Sequence, residues 1–318
     1  MPSSAEIAVS LEAVSHSYGP RRALDGVSFR VTSGELFAVV GPNGGGKTTL
    51  FRLLSTLMPL REGRVEVLGH DLATQPALVR RGIGVVFQAP SLDRKLTVAE
   101  NMQQQGALYG LSGAELRNRS ARLLEDLQLA DRAGDYCEKL SGGLRRRAEI
   151  AKCLLHEPRL LLLDEPSTGL DPGIRAELWR MLEKLRAARG MTILVTTHLL
   201  EEAEQADHVA ILHEGRLVAL DTPDALRAAV AGDSITIETE DPEDLAAALR
   251  EQLGLEATLI GGRLRLEQPE GHNLIPQLVE AFPGCIRSVT LGLPTLEDVF
   301  FQRTGRSFGE GPGREGAA

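Results

Sequence analysis

The chain has 318 residues, with 42% hydrophobic residues, 25% charged residues and a formal net charge of −9. This length suits about two domains, and the ordinary composition argues against a disordered protein. The acidic balance, with a pI near 5.4, lacks the basic signature of a nucleic-acid binder. No nucleic-acid partner is therefore expected.

Cysteine spacing and hydropathy bear on the redox compartment of the protein and on its relation to a membrane. Cys137, Cys153 and Cys285 lie far apart without metal-ligand spacing, which argues against a disulfide framework or a zinc site and favours a reducing cytoplasm. The start MPSSAEIAVS has no signal-peptide pattern, and no apolar run approaches the roughly 18 residues that a membrane span needs. Any membrane role is expected to depend on a partner.

Residues 7–220 alternate apolar strand-like runs with helix-like segments. The runs LFAVVG, GIGVVFQ, LLLLD and TILVTTH are continuously apolar or nearly so, which predicts strands of a mainly parallel sheet that helices cover on both faces. Between Asp93 and His156 the pattern is helical only. The sequence therefore predicts an α/β domain over residues 1–225, with a helical insertion at about 93–156.

The segment after residue 225 reads as a second, smaller unit. SITIETE, DPEDLAAALREQLG, EATLI, RLRLE, NLIPQLVEAF and IRSVTL follow one another in the order βαββαβ, which predicts a ferredoxin-like α+β domain over residues 226–306. A short helix, TLEDVFFQRTG, closes it. The Gly-rich residues 307–318 are predicted to be a disordered tail.

A glycine-rich stretch between a predicted strand and a predicted helix gives the clearest indication of a chemical role. GPNGGGKT matches G-x-x-x-x-G-K-[ST] after LFAVV and before TTLFRLLSTL, where backbone N–H groups can wrap nucleotide phosphates. We expect Lys47 to hold the β- and γ-phosphates, Thr48 to ligate Mg²⁺ and Thr49 to contact the α-phosphate. The predicted cradle comprises Gly41, Pro42, Asn43, Gly44, Gly45, Gly46, Lys47, Thr48 and Thr49.

The apolar run LLLLDEP ends in two carboxylates. Asp164 stands at the predicted strand end, where a carboxylate can complete the magnesium shell. Glu165 follows it, in a position to orient and deprotonate the water that attacks the γ-phosphate. The alternative, a surface turn that begins with two acids, would drive four leucines outward.

A second anion site is predicted at LSGGLRRRAEI. Ser141, Gly142 and Gly143 precede a basic helix, and exposed N–H groups at a helix start attract anions. Ser141 as a simple helix cap is an alternative that is compatible with this role. One nucleotide should need only one cradle, so the second cradle is expected to serve another nucleotide or another molecule.

In order and spacing, LSGGLRRRAEIAKCLLHEPRLLLLDEPSTGLDP resembles the ATP-binding subunits of ABC transporters, and the resemblance covers residues 7 to about 225. It implies a P-loop (RecA-like) ABC ATPase core that uses ATP and Mg²⁺. It also implies that Gln88 touches Mg²⁺ and the γ-phosphate, that His198 is the switch histidine, and that Tyr18 stacks on adenine.

The same resemblance implies a head-to-tail dimer in which Ser141, Gly142 and Gly143 of one subunit cover the γ-phosphate held by the other, with Asp171 at the interface. The expected partners are a second ATP-binding subunit, in a homodimer or a heterodimer, and a polytopic membrane permease. The expected location is the cytoplasmic face of the cell membrane. APSLDRKLTVAENM is a candidate permease contact or, equally, a loop and a helix capped by Thr97 and Glu100.

Two features are similar to the drug-resistance branch of type-2 ABC exporters: Leu144 followed by three arginines, and the ending PTLEDVFFQRTGR. They imply export of a drug, lipid, polysaccharide or ion. The ending helix packs either on its own domain or across a dimer. A soluble ABC ATPase that acts on nucleic acid, ribosomes or protein assemblies is the alternative function, although a single cassette without heptads disfavours it.

Overall fold

The computed structural model describes residues 6–230, 232–260, 262–268 and 271–308. The chain divides into two compact units, Met1–Leu217 and Val218–Ala318. This division precedes the predicted boundary at residue 225, because the short helix at Pro223–Ala228 packs against the helix at Leu296–Thr304 of the second unit. Residues 309–318, most of the predicted tail, lie outside the described residues.

The first unit opens with an antiparallel sheet that the sequence analysis did not separate from the parallel one. β1 pairs antiparallel with β2 and β4, and β4 pairs with β5. In β2, Val27, Phe29 and Val31 are buried while the residues between them are exposed, whereas β1 also buries adjacent residues such as Ala8 and Val9. The elements of the first unit before residue 93 are β1 (Ile7–Tyr18), β2 (Arg21–Thr32), β3 (Leu36–Val40), α1 (Lys47–Leu54), β4 (Glu62–Val67), β5 (His70–Asp71), α2 (Pro76–Gly82) and β6 (Ile83–Val86).

The segment 93–156 contains helices, short 3-10 turns and one isolated bridge between Thr97 and Tyr136. Its helices are α3 (Val98–Leu108), α4 (Gly113–Asp126) and α5 (Gly142–Leu154). Thr97 and Glu100 form the predicted capping box at the start of α3. The helical character predicted for this insertion is therefore present.

A six-stranded sheet follows the predicted α/β pattern, with the strand order β10-β9-β3-β8-β7-β6. Its later elements are β7 (Leu160–Asp164), α6 (Pro172–Arg189), β8 (Thr192–Thr197), α7 (Leu200–Ala203), β9 (His208–His213) and β10 (Arg216–Asp221). The pairs of β3 with β8 and β9, and of β7 with β6 and β8, are parallel. Every residue of β3, β7 and β8 is buried, as predicted for strands covered on both faces. Because the strands are parallel, their carboxyl ends meet at one edge.

The second unit has the predicted βαββαβ order. Its elements are α8 (Pro223–Ala228), β11 (Asp233–Glu238), α9 (Pro242–Leu253), β12 (Thr258–Ile260), β13 (Arg263–Gln268), α10 (Leu274–Ala281), β14 (Ser288–Gly292) and α11 (Leu296–Thr304). The sheet order is β12-β13-β11-β14, with antiparallel pairs throughout. Ile235, Leu264, Leu249 and Leu278 are among the residues that form its core.

The ending helix α11 buries its apolar side within this chain. Leu296, Val299 and Phe300 are at most 2% exposed, and Arg265 donates to the Asp298 carboxylate at 2.5 Å. Phe308, which was predicted to belong to the disordered tail, packs edge-on against Phe300 with 4.9 Å between ring centroids. Within the single chain, the helix therefore packs on its own domain, which is the first of the two predicted arrangements.

Among the residues that the structure describes, no helix combines the length and the apolar character needed to cross a membrane. The thiols of Cys137, Cys153 and Cys285 are all free.

Candidate active site

The glycine-rich loop lies between β3 and α1, at the carboxyl edge of the parallel sheet. Gly46 has φ of +109°, and a Cβ on it would lie 2.7 Å from the Ala23 carbonyl oxygen. A Cβ on Gly41 would lie 2.2 Å from the carbonyl oxygen of Leu212. Only glycine fits either position, so the tight packing around the loop, as well as phosphate access, dictates this sequence.

Lys47 is held inside this loop. Its side chain is 4% exposed, and Nζ donates to the carbonyl oxygens of Gly41 at 2.6 Å and of Pro42 at 3.1 Å. Burial lowers the pKa of Lys47, while Glu165, with Oε1 at 3.7 Å, opposes that shift. The ammonium group is therefore already folded back over the loop that would cradle phosphates.

Asp164 and Glu165 stand where β7 ends. Asp164 Oδ1 accepts a hydrogen bond of 2.5 Å from the Thr196 hydroxyl on β8. Burial raises the pKa of Asp164, and the bond from Thr196 partly offsets this. Glu165 has φ of +44°, a left-handed conformation that is strained for glutamate. Its N–H donates to the Thr196 carbonyl oxygen at 3.0 Å, which helps to hold this turn.

The Glu165 carboxylate is the centre of the site. Its Oε2 lies 3.0 Å from His198 Nδ1 and accepts hydrogen bonds from Gln88 Nε2 at 3.3 Å and the Thr168 hydroxyl at 3.2 Å. With Lys47 on Oε1, four side chains surround this one group. The structure thus brings together Lys47, Gln88, Asp164, Glu165 and His198.

Tyr18, Thr48 and Thr49 lie on β1 and α1. Tyr18 ends β1, is 45% exposed and donates its hydroxyl to Met58 Sδ at 3.1 Å. Thr48 is exposed in the first turn of α1, whereas Thr49 is buried. The exposed residues Tyr18 and Thr48 are therefore accessible to a ligand.

The second predicted cradle forms on different elements. Ser141 caps α5, accepting a hydrogen bond from the Leu144 N–H at 3.3 Å, so the cap interpretation is correct. A Cβ on Gly143 would lie 2.5 Å from Ile174 Cγ2 on α6, so close packing requires this glycine. Within the described part of the chain, no hydrogen bond or ion pair joins Ser141 or Asp171 to the loop at 41–46.

The comparisons with known proteins identify the family. A family model described as ABC transporter matches residues 24–168. Daunorubicin resistance ATP-binding protein DrrA3 of Streptomyces coeruleorubidus is 38% identical over 312 residues, covering 95% of this chain and 97% of that protein. The chain belongs to the ABC transporter ATP-binding subunits.

Other relatives of this ABC ATPase support the same family assignment. Nod factor export ATP-binding protein I of Paraburkholderia xenovorans is 38% identical, covering 95% of this chain and 98% of that protein. An ATP-binding subunit of an ABC transporter of known structure is 34% identical with a TM-score of 0.62, covering 70% of this chain and 92% of that one. A dimeric ATP-binding cassette bound to ADP and Pi is 29% identical with a TM-score of 0.60, covering 67% and 98%. A model for an AAA domain also matches residues 138–204.

The oxygen donors of this ABC ATPase suit a hard cation. Mg²⁺ prefers oxygen ligands and typically binds through one or two carboxylates together with substrate phosphates. The Asp164 carboxylate, the Thr48 hydroxyl and the Gln88 amide oxygen are such donors. No group of three or more His, Cys, Asp or Glu side chains able to hold a metal occurs in the described ranges.

Three residues of this ABC ATPase site were missed by the sequence analysis. Thr196 holds Asp164, Thr168 reaches Glu165, and the Arg21 guanidinium lies 3.1 Å from the position that a Cβ on Gly44 would occupy. The only signal for Thr196 was a polar residue inside the apolar run TILVTTH. Arg21 had none, because its proximity to the loop depends on the β1–β2 hairpin.

Proposed function

We propose that this ABC ATPase acts as a homodimer, assembled head to tail around two ATP molecules, and powers export through a separate membrane permease at the cytoplasmic face of the membrane. The observation that carries the proposal is the separation of two anion cradles within one chain. The loop at 41–46 has the carboxylates Asp164 and Glu165 beside it. In the signature segment Ser141, Gly142 and Gly143, the two glycines pack instead against Leu170 and Ile174.

In each site, Lys47 and the N–H groups of residues 41–49 bind the β- and γ-phosphates. Thr48, Gln88 and Asp164 hold Mg²⁺, which neutralises phosphate charge when bound. Glu165 orients the attacking water and takes its proton. His198, at 3.0 Å from Glu165, keeps that carboxylate aimed and contacts the γ-phosphate.

The signature segment completes the site of the second copy. The N–H groups of Gly142 and Gly143 belong to the first turn of α5 and have no partner within that helix, so they can bind an anion that another molecule holds. Ser141 adds its hydroxyl. Asp171, exposed at the start of α6 without a side-chain cap bond, lies at the same interface. ATP thereby joins two copies, and hydrolysis separates them.

Export is favoured by the names of the relatives, which refer to daunorubicin resistance and to Nod factor export. The cargo of this transporter belongs to the same broad group of drugs, lipids, polysaccharides and ions. Its recognition resides on the permease. The ATPase contributes ATP-driven closure, transmitted through the helical insertion and the segment that follows Gln88.

The test is affinity purification of the tagged chain from detergent-solubilised native membranes, followed by identification of what co-purifies. A polytopic membrane protein at stoichiometric level is expected. Recovery with ribosomes, with DNA or with no partner would contradict the transporter function. The Lys47→Ala variant serves as a control, because its permease contact should persist without nucleotide binding.

A further inference from the structure

Three side chains on one face of α5, the signature helix, reach the same segment. Arg146 donates from Nη1 to the Phe87 carbonyl oxygen at 2.7 Å and from Nη2 to the Gln88 carbonyl oxygen at 3.3 Å. Glu149 accepts from the Ser91 N–H at 2.7 Å, and Lys152 donates to the Ser91 carbonyl oxygen at 2.6 Å. Residues 87–91, termed here the Q-loop segment, are thus bound to the signature helix through their backbone.

Arg146 and Glu149 also form an ion pair of 2.8 Å. Arg146 is 9% and Glu149 is 3% exposed, so both charges are largely removed from water. Such burial is costly unless every charge is satisfied. Here the guanidinium has three acceptors and the carboxylate has two donors. A buried pair with several such bonds fixes one geometry of the segment that it binds.

We propose that Arg146 and Glu149 are positioning residues that hold the Q-loop segment on the signature helix and thereby keep the Gln88 side chain beside Glu165. The proposal rests on the function proposed above for Gln88 and Glu165. The link connects the two cradles of one chain, because Ser141 begins the same helix whose side chains bind residues 87–91. A shift of the signature helix against the ATP of the partner subunit then displaces Gln88 in its own site.

The first test measures the link without nucleotide. Amide hydrogen exchange is followed in peptides spanning residues 87–95 of the full chain for the wild type, Arg146→Met and Glu149→Met. Loss of a hydrogen bond to a charged group corresponds to about 10-fold faster exchange of the Ser91 amide. Arg147→Gln is the matched control, since Arg147 belongs to the same helix but pairs with Glu177 at 2.6 Å. Wild-type exchange in both methionine variants would overturn the proposal.

The second test separates positioning from general loss of structure. ATP binding in EDTA depends on the loop at 41–49 and should equal that of the wild type in Arg146→Met. The Mg²⁺ concentration for half-maximal hydrolysis should rise about 10-fold, the usual scale for loss of a group that supports a metal ligand. Equal losses in both measurements, or a rise of the same size in Arg147→Gln, would overturn the proposal.

Glu149→Gln keeps the shape of the side chain and its bond from Ser91, so it supplies a variant that folds if Arg146→Met does not. It should raise the Mg²⁺ requirement less than Arg146→Met, and an unchanged requirement would count against the ion pair. If the wild type fails to hydrolyse Mg-ATP, the proposed function fails. In that case the hydrogen-exchange experiment still tests whether Arg146 and Glu149 hold the Q-loop segment, because it uses no nucleotide.

Discussion

His198 Nδ1 lies 3.0 Å from Oε2 of Glu165, although 33 residues separate them in the chain. The contact joins the carboxyl ends of β7 and β8, which are neighbours in the parallel sheet. It places the switch histidine against a carboxylate oxygen of the proposed base, so the orientation of the Glu165 carboxylate depends on the position of His198.

Replacing Glu165 by Gln should lower ATP hydrolysis by at least about 100-fold, because an amide cannot take the proton of the attacking water. The variant should still bind ATP and accumulate as an ATP-bound dimer. Size-exclusion chromatography with and without Mg-ATP, beside a phosphate-release assay, measures both effects. Hydrolysis at the wild-type rate would refute Glu165 as the base.

Lys47→Ala should abolish nucleotide binding. The ammonium group that donates to Gly41 and Pro42 is the only side-chain cation within the glycine-rich loop and the turn that follows it, over residues 41–49. Titration with a fluorescent ATP analogue measures the affinity. Lys184→Ala, which removes an exposed lysine on α6, is the control and should bind normally. Binding by Lys47→Ala within a few-fold of the wild type would contradict the assigned phosphate contact.

The two adjacent glycines Gly45 and Gly46 should respond differently to alanine. Gly46→Ala combines φ of +109° with a 2.7 Å approach to the Ala23 carbonyl oxygen, and should cost about 1–3 kcal/mol of stability together with nucleotide affinity. Gly45→Ala has no left-handed φ, and its contacts at 3.1 Å are tight but not overlapping. Its stability should change by less than about 1 kcal/mol. Equal unfolding midpoints in urea for the two variants would be inconsistent with this difference.

Asp164→Asn should stabilise the nucleotide-free chain while eliminating Mg²⁺-dependent hydrolysis. Burial raises the pKa of Asp164 above its unfolded value. The folded chain therefore binds the proton more tightly, and the wild type loses stability as the pH rises from the unfolded pKa through the folded pKa. Asparagine carries no charge and still accepts the bond from Thr196. Unfolding free energies measured at pH 5 and pH 8 test the direction of the stability change. A variant less stable than the wild type at pH 8 would contradict the expected stabilisation.

Phe300→Ala should destabilise the second unit by about 3–5 kcal/mol, since the ring is 1% exposed. The chain has one tryptophan, Trp179, which lies in the first unit. Tryptophan fluorescence thus reports on the first unit alone, whereas circular dichroism reports on both. The circular dichroism transition should shift to lower urea with the fluorescence transition unchanged. ATP-dependent dimerisation should also persist, and its loss would favour a helix that packs across subunits.

The sequence by itself determined the residues whose chemistry needs a fixed spacing. GPNGGGKT follows the apolar run LFAVV, LLLLDEP begins with an apolar run, and LSGG precedes a helical segment, so the order of elements around them was predictable. The same holds for the βαββαβ order of the second unit. The N-terminal antiparallel sheet was not separated from the parallel one, because pairing between distant strands is not encoded in local periodicity.

Only the tertiary structure decided which side chains meet. Thr196 faces Asp164 because β7 and β8 pair in that register, and a shift of one residue would have turned it away. The arginines at positions 145, 146 and 147 look equivalent in the sequence, yet each turns about 100° from the previous one around the helix. Packing against the Q-loop segment buries Arg146 alone among them. Which arginine binds that segment is therefore set by the neighbours of α5 and not by the run itself.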